Sequence, residues 1–128
     1  MKLIKGLIIA AMITGVVGCS RVHPVLNVEN APVSYNLQSQ QVRSAILESG
    51  TARGWIMNET KPGTIRGEIN VRTHKAVIDV EYNNKAYSIH YVSSENLKYE
   101  DGNIHRNYNK WITNLDQDIK KKLATLAQ

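Results

Sequence analysis

The chain has 128 residues, a single cysteine and a formal net charge of +5. This length accommodates one small domain and excludes a multidomain enzyme. One cysteine excludes an internal disulfide, and no cysteine and histidine spacing suits a four-ligand zinc site, so the fold has to rest on its hydrophobic core.

The N-terminal segment has the composition of a secretory signal peptide. Two lysines precede an apolar run over residues 7–17, and Gly18 stands before Cys19. A charged start, a short apolar run and a small residue at the cleavage site are typical of export signals. The run is too short for a transmembrane helix, which needs about 20 apolar residues. We therefore predict a signal peptide over residues 1–18.

A lipidation motif surrounds the predicted cleavage site. Val16-Val17-Gly18-Cys19 resembles the lipobox of bacterial lipoproteins, in which the cysteine becomes N-terminal and acylated. The resemblance implies that Cys19 carries two or three acyl chains, which hold a protein on the membrane essentially permanently. The residue after the cysteine is Ser20. An Asp at that position would favour retention of the lipoprotein at the inner membrane. We therefore expect an envelope protein anchored to the outer membrane through Cys19 and facing the periplasm.

The mature chain would be only modestly basic. Cleavage before Cys19 removes two of the 16 basic side chains and none of the 11 acidic ones, which leaves a net charge of +3. An exported protein does not meet cytoplasmic nucleic acid. We therefore predict no nucleic-acid partner and interpret the basic residues as affinity for anionic surfaces of the envelope.

The remaining chain divides into a linker and one domain. Residues 20–36 are aperiodic and contain two prolines and several Asn and Ser residues, which is typical of flexible linkers. We predict that residues 19–36 comprise the acylated cysteine and a disordered tether. Residues 37–128 should then form a single domain, whose oligomeric state the sequence leaves open.

Two segments have helical periodicity. Residues 37–52 place Val42, Ala45, Ile46 and Ser49 on one face, with Ser34 or Asn36 as the cap. A longer amphipathic helix is expected after a cap at Asn103. Its apolar positions recur at intervals of three and four: Tyr108, Trp111, Ile112, Leu115, Ile119, Leu123 and Leu126.

Four antiparallel strands are predicted between these helices. In the first, residues 55–60, both parities are apolar, so either Trp55 or Ile56 faces inward. Two-residue turns at Thr73-His74 and Asn83-Asn84 place the apolar residues of the next three strands on one face. The prediction is an α+β fold with two layers in the order αββββα, in which two helices pack on one face of a four-stranded antiparallel sheet.

Gly67 leaves a hollow in the middle of the predicted inner face. A strand glycine often marks a close approach, and we expect a ring from a facing helix, such as that of Trp111, to fill the space. If the hollow is open, an apolar or lipidic ligand could bind between sheet and helices. This is the alternative function that the sequence suggests.

A second resemblance covers about residues 37–119. It rests on Asn-Ile-His-Arg-Asn-Tyr-Asn-Lys-Trp at residues 103–111, with Tyr91, Asn96-Leu97, Tyr99 and Arg53-Gly54-Trp55. These residues resemble a family of small proteobacterial lipoproteins of the outer-membrane type and of uncharacterised function. The resemblance implies a shared fold and an envelope location, and it assigns no catalytic residue.

Catalytic signals are weak. The sequence contains no Gly-rich phosphate loop, nucleophile elbow or zinc-protease motif. The histidines are scattered, so we predict no metal site and no cofactor. Glu68 and Asp79 are expected to be cross-strand neighbours on the solvated sheet face, where a charged surface is a better interpretation than an acid–base pair. We predict that the protein is not an enzyme, and an envelope hydrolase is the third hypothesis.

Aromatic and charged residues crowd one loop and the start of the last helix, namely Tyr99, Glu100, Asp101, His105, Arg106 and Tyr108. Tyr and Arg are enriched at interface hot spots. These residues either bind another envelope component, such as a protein partner, or serve the fold. In the second case the two tyrosines close the core and Arg106 pairs with Glu100 or Asp101. We predict an interaction domain that uses this region or the exposed sheet face.

Overall fold

The computed structural model describes residues 21–128, so the predicted signal peptide, Cys19 and Ser20 lie outside the described residues. The elements, in chain order, are β1 (Val22–Pro24), β2 (Val28–Pro32), α1 (Ser39–Ala52), β3 (Ile56–Lys61), β4 (Thr64–Val71), β5 (His74–Tyr82), β6 (Ala86–Glu95), β7 (Asn103–His105) and α2 (Arg106–Leu126). One sheet has the antiparallel order β2-β6-β5-β4-β3, and β1 pairs with β7 in a second sheet. The α+β class is confirmed, but the main sheet has five strands rather than four.

The segment predicted to be a tether belongs to the fold. In β1, Val22 lies opposite His105, and in β2, Ala31 lies opposite Tyr87. Ala31 is buried. The prediction of disorder was therefore wrong for residues 21–36. Their pairing partners lie far along the chain, and a bulge in β2 at Asn30 disrupts the alternation that would mark a strand.

Both predicted hairpins form, and next to each turn the register is shifted by two residues; a register irregularity between Val77 and Ile78 shifts the far end of the second hairpin by one residue more. The turn between β4 and β5 is Arg72-Thr73 rather than Thr73-His74, so Gly67 lies opposite Ile78 instead of Val80. The β5–β6 loop is longer than predicted, and the Asn83 side chain closes it by accepting the N–H groups of Lys85 and Ala86. A two-residue shift preserves side-chain parity, so the predicted apolar residues remain on the inner face.

Two helices cover that inner face. The predicted buried positions of α1 are confirmed, although its N-cap is Gln38, which forms a capping box with Gln41. Helix α2 begins at Arg106 because the preceding residues pair with β1, and its cap is His105 rather than Asn103. The buried residues of α2 are Tyr108, Ile112, Leu115, Ile119 and Leu123.

The hollow at Gly67 is filled from the neighbouring strand. A Cβ at Gly67 would lie 2.9 Å from Sδ of Met57, 3.2 Å from Cγ1 of Ile78 and 3.3 Å from Cε3 of Trp55. Trp55 is buried, whereas Ile56 is 59% exposed, which settles the parity that the sequence left open. The expectation that Trp111 fills the hollow was wrong, because Met57 lies directly opposite Gly67 on β3.

Candidate functional site

The predicted binding residues lie mostly at the end of the domain where the described chain enters it. The backbone N–H of Arg106 donates to the carbonyl of Arg21 at 2.9 Å, and that of His105 donates to the carbonyl of Leu97 at 2.8 Å. The N–H of Val25 donates to the carbonyl of Gly102 at 2.9 Å. These bonds join three segments into one surface. We call residues 21–23, 96–103 and 105–106 the entry surface.

Three tyrosine rings in contact, two of them stacked and the third edge-on, support this surface. The Tyr99 ring stacks on that of Tyr91 at a centroid distance of 4.5 Å and an angle of 22°. Tyr91 meets the Tyr108 ring edge-on, at 5.6 Å and 82°. Tyr108 is fully buried, whereas Tyr99 is 48% exposed. Burial, followed by the effect of Tyr91, raises the pKa of Tyr108. The prediction of Tyr108 as a binding residue was therefore wrong, and it anchors the stack that presents Tyr99.

An open cleft of about 810 Å³ lies beside Tyr99, lined by Val22, Lys98, Tyr99, Glu100, Asp101 and Asn103. Its loop folds back on itself through reciprocal backbone hydrogen bonds between Glu100 and Asn103, at 3.0 and 2.9 Å. Left-handed backbone at Lys98 and Asp101, with φ of 57° and 53°, produces this tight path. Glu100 and Asp101 are both exposed, so the structure places their carboxylates where a partner can reach them.

His105 has a structural role at the base of this surface. Its Nδ1 accepts the backbone N–H of Asn107 at 3.1 Å and so caps α2. Its ring stacks on that of His74, at 6.3 Å and 27°. Partial burial, followed by the positive charges of Lys98, His74, Arg106 and Arg21, lowers the pKa of His105. The lowered pKa favours the neutral imidazole, whose Nδ1 can accept a hydrogen bond.

The cations near His105 have no carboxylate partner among residues 21–128. Within residues 21–128, no ion pair involves Arg21, Lys98 or Arg106, so the predicted pairing of Arg106 with Glu100 or Asp101 does not form. Arg21 and Arg106 are exposed, as is Lys98. The entry surface thus combines a supported aromatic ring with three unpaired positive charges.

The outer sheet face does not bring the predicted carboxylates together. Arg66 donates to both carboxylate oxygens of Asp79 at 2.9 Å, and Glu68 lies opposite Val77 rather than Asp79. His90 contacts Glu29 through Nε2 at 2.8 Å on the same face. These groups are partly exposed, and solvent-exposed ion pairs of this kind contribute little to stability. The prediction that Glu68 and Asp79 are cross-strand neighbours was wrong, since it depended on the register that is shifted.

The sequence interpretation missed three contributors to the entry surface. Arg21 and Val22 lie in the segment assigned to the tether, and Lys98 stood in the polar loop without a recognised role. A weak signal existed for Lys98, because it is flanked by the apolar Leu97 and by Tyr99. No sequence pattern around Arg21 indicates that it belongs to this surface, because the residues that it contacts lie at positions 105–106.

No protein-family model, curated protein or solved structure matches this chain. Across residues 21–128, no helix is long and apolar enough to cross a membrane. In the same part of the chain, no group of three or more His, Cys, Asp or Glu side chains is placed to hold a metal ion. The candidate site is therefore defined by its geometry, as an aromatic and cationic surface at the entry of the chain.

Proposed function

We propose that the protein is a lipid-anchored, non-enzymatic component of the bacterial envelope. Cys19 would hold it on the outer membrane, facing the periplasm, and the entry surface would bind another component of the envelope. The observation that carries the proposal is Tyr99, which is half exposed yet held by a stack of rings that ends in the core.

A supported and exposed tyrosine favours binding for an energetic reason. Association costs free energy when it immobilises a mobile side chain, at about 0.5–1.5 kcal/mol for each. Tyr99 is already held by Tyr91, so little of this cost would arise on binding. Tyr and Arg are also enriched among the residues that contribute most to binding energy. The cleft residues adjoin this ring, and Arg106 is joined to the same surface by its backbone hydrogen bond to Arg21.

The anchoring part of the proposal depends on the N-terminal sequence. A charged start and an apolar run precede Val16-Val17-Gly18-Cys19, which resembles a lipobox. The resemblance of residues 37–119 to small proteobacterial lipoproteins of the outer-membrane type supports the same location. Two or three acyl chains on one residue are sufficient for stable attachment.

The alternative, a ligand between sheet and helices, has less support. The hollow at Gly67 is occupied by Trp55 and Met57. The remaining recess near Trp111 has a volume of about 160 Å³ and is also lined by Arg53, Trp55, Ile69, Val71 and Asn114. Ligand sites usually have volumes of about 300–1,000 Å³. We therefore favour a surface interaction over an internal ligand.

Metabolic labelling with palmitate tests the anchor. Cys19→Ala should abolish incorporation of the label and leave the precursor uncut, because the acylated thiol and the cleavage site are both lost. Ser20→Ala is the matched control and should be labelled and processed normally. Acylation of the Cys19→Ala variant would contradict the lipoprotein proposal.

Photocrosslinking in living cells tests the surface. A photoreactive amino acid at Tyr99 should capture an envelope component. The same group at Gln117, which is exposed on α2, should not. Mass spectrometry would identify the adduct. Equal or absent capture at both positions would contradict a binding role for the entry surface.

A further inference from the structure

We propose that the component bound by the entry surface is the anionic membrane surface itself, through the phosphate groups of its lipid headgroups. The domain would then lie against the membrane that holds its lipid anchor, with the entry surface facing the bilayer. This inference rests on the proposed function, because it requires acylation at Cys19.

The first support is a group of three positive charges on a surface that also carries the carboxylates of Glu100 and Asp101. Arg106 follows His105 in the chain, and its backbone N–H donates to the carbonyl of Arg21 at 2.9 Å. Lys98 follows Leu97, whose carbonyl accepts the N–H of His105 at 2.8 Å. No carboxylate pairs with these three cations within the described chain. Like charges that lie close together repel one another, and an anionic surface relieves that repulsion. Arginine is especially suited to phosphate, which it can contact with two parallel hydrogen bonds.

The second support is the short chain between the anchor and the fold. Each residue spans at most about 3.3–3.6 Å, and Arg21 comes only two residues after Cys19 in the sequence. Arg106 is tied to Arg21 by a backbone hydrogen bond, and β1 begins at Val22. A lipid on Cys19 would therefore bring the whole cationic cluster to the headgroup layer. A flexible tether of 17 residues would have allowed the domain to turn away.

The third support is the character of the neighbouring side chains. Tyrosine is enriched at membrane–water interfaces because its ring is apolar and its hydroxyl is polar. Tyr99 directly follows Lys98 and is half exposed. Glu100 and Asp101 are exposed beside Lys98 in the same cleft, and their negative charges oppose binding to an anionic surface. Their removal should therefore strengthen the contact.

Fluorescence quenching in vesicles measures the orientation of the domain. The acylated protein is reconstituted into vesicles of phosphatidylglycerol and phosphatidylethanolamine that contain a spin-labelled headgroup lipid. A fluorophore is attached through His23→Cys on β1 or, as control, through Asn84→Cys in the β5–β6 loop. Both positions are exposed, and Cys19 is blocked by its lipid. We expect strong quenching at residue 23 and weak quenching at residue 84.

Charge variants test the recognition of phosphate. In Arg21→Gln/Lys98→Gln/Arg106→Gln, quenching at residue 23 should fall to the level at residue 84. Three basic residues at an anionic surface correspond to a shift of about 100-fold in the ratio of docked to undocked protein. The matched control replaces Lys61, Lys85 and Lys121 by Gln and should retain quenching. Glu100→Gln/Asp101→Asn should retain quenching at higher salt than the unmodified protein.

The outcomes separate this inference from the proposed function. Weak quenching at residue 23 in a fully acylated protein would overturn membrane docking and leave the anchor intact. Equal quenching at residue 23 in the two triple variants would also overturn membrane docking. So would photocrosslinking from Tyr99 that captures a protein instead of lipid. Absence of acylation at Cys19 would overturn the proposed function. The three cations make no side-chain hydrogen bond in the described chain, so their variants should fold normally, which circular dichroism would verify.

Discussion

The side chain of Asn109 holds Leu26 against the start of α2. The backbone N–H of Leu26 donates to Oδ1 of Asn109 at 3.0 Å, and Nδ2 of Asn109 donates to the carbonyl of Pro24 at 2.9 Å. One amide thus satisfies a donor and an acceptor of a segment more than 80 residues earlier in the chain. This contact explains how a segment without periodicity is ordered, since its polar backbone groups are paired by a distant side chain.

Asn109→Ala should release this segment. A hydrogen bond contributes about 0.5–1.5 kcal/mol, and the variant loses two of them. We expect amide exchange over residues 22–27 to accelerate by about 10- to 100-fold, as measured by hydrogen–deuterium exchange with mass spectrometry. Asn107→Ala, two residues away, keeps the bonds to Leu26 and Pro24 and should leave exchange unchanged. Unprotected exchange in the unmodified protein would show that the segment is a tether after all.

Gly67→Leu should destabilise the domain by about 1–3 kcal/mol through overpacking. The added side chain would meet Trp55, Met57 and Ile78, which already fill the space above the glycine. Urea denaturation measures the change in the free energy of unfolding. Asn58→Leu, on the exposed side of the adjacent strand, introduces the same side chain without that clash. Equal midpoints for the two variants would place Gly67 outside the core.

The hydrogen bond between Tyr87 and Asp116 should be important for stability. The Tyr87 hydroxyl donates to Oδ1 of Asp116 at 2.6 Å and joins β6 to α2. Burial, followed by the carboxylate of Asp116, raises the pKa of Tyr87 well above its usual range. Asp116→Ala leaves the buried hydroxyl with only the backbone carbonyl of residue 116, at 3.5 Å, which should cost about 1–3 kcal/mol. Tyr87→Phe should cost less, because Asp116 keeps its contact with Lys120.

A double-mutant cycle on Tyr87 and Asp116 checks this coupling by thermal or urea denaturation. The combined variant should be less destabilised than the sum of the single changes. Gln117→Ala, at an exposed neighbouring position, serves as the control for helix propensity. Simple additivity of the two single changes would show that the hydrogen bond contributes little.

Acidification should weaken the start of α2 through His105. Burial and nearby positive charges lower its pKa from the ordinary value of 6.5. The unfolded chain therefore takes up a proton at a higher pH than the folded protein. Stability contributed by neutral His105 is present above pH 6.5 and is lost as the pH falls through the lower folded value. Protonated Nδ1 can no longer accept the N–H of Asn107.

Melting temperatures across this pH range test the role of His105. His105→Asn keeps an acceptor at the N-cap but does not titrate, so the slope of stability with pH should decrease. His23→Asn, at an exposed position of β1, should leave the slope as it is. An unchanged slope in the His105 variant would show that the cap does not respond to acid.

Local patterns predicted the helices and the faces of the central strands. The α1 positions Val42, Ala45 and Ile46 were identified from their spacing alone, because a helix brings residues three and four apart onto one side. Next to the turn the register was wrong by two residues in both hairpins, yet the inner face was correct there, since side chains alternate with a period of two. The identity of the turn residues specifies the register only weakly. A shift of one residue, by contrast, would move every side chain of the strand to the opposite face of the sheet.

The candidate site was predicted only in part. Residues 99–101 and 105–106 were identified because aromatic and charged residues are dense there. The local density of aromatic and charged residues does not distinguish Tyr99, which is half exposed, from Tyr108, which is fully buried. That difference depends on the helix phase of α2 and on Tyr91, which reaches the site from β6.

The sequence by itself determined the α+β class, the amphipathic faces of two helices and the parity of the central hairpins, because each follows from neighbours within a few residues. Only the tertiary structure decided that residues 21–36 join the fold, that His105 caps α2 and that Arg21 lies beside Arg106. These features depend on pairs separated by tens of residues. Such a pair forms when its contact energy offsets the entropy lost in closing a long loop. Local periodicity contains no information about that difference, so it cannot predict these pairs.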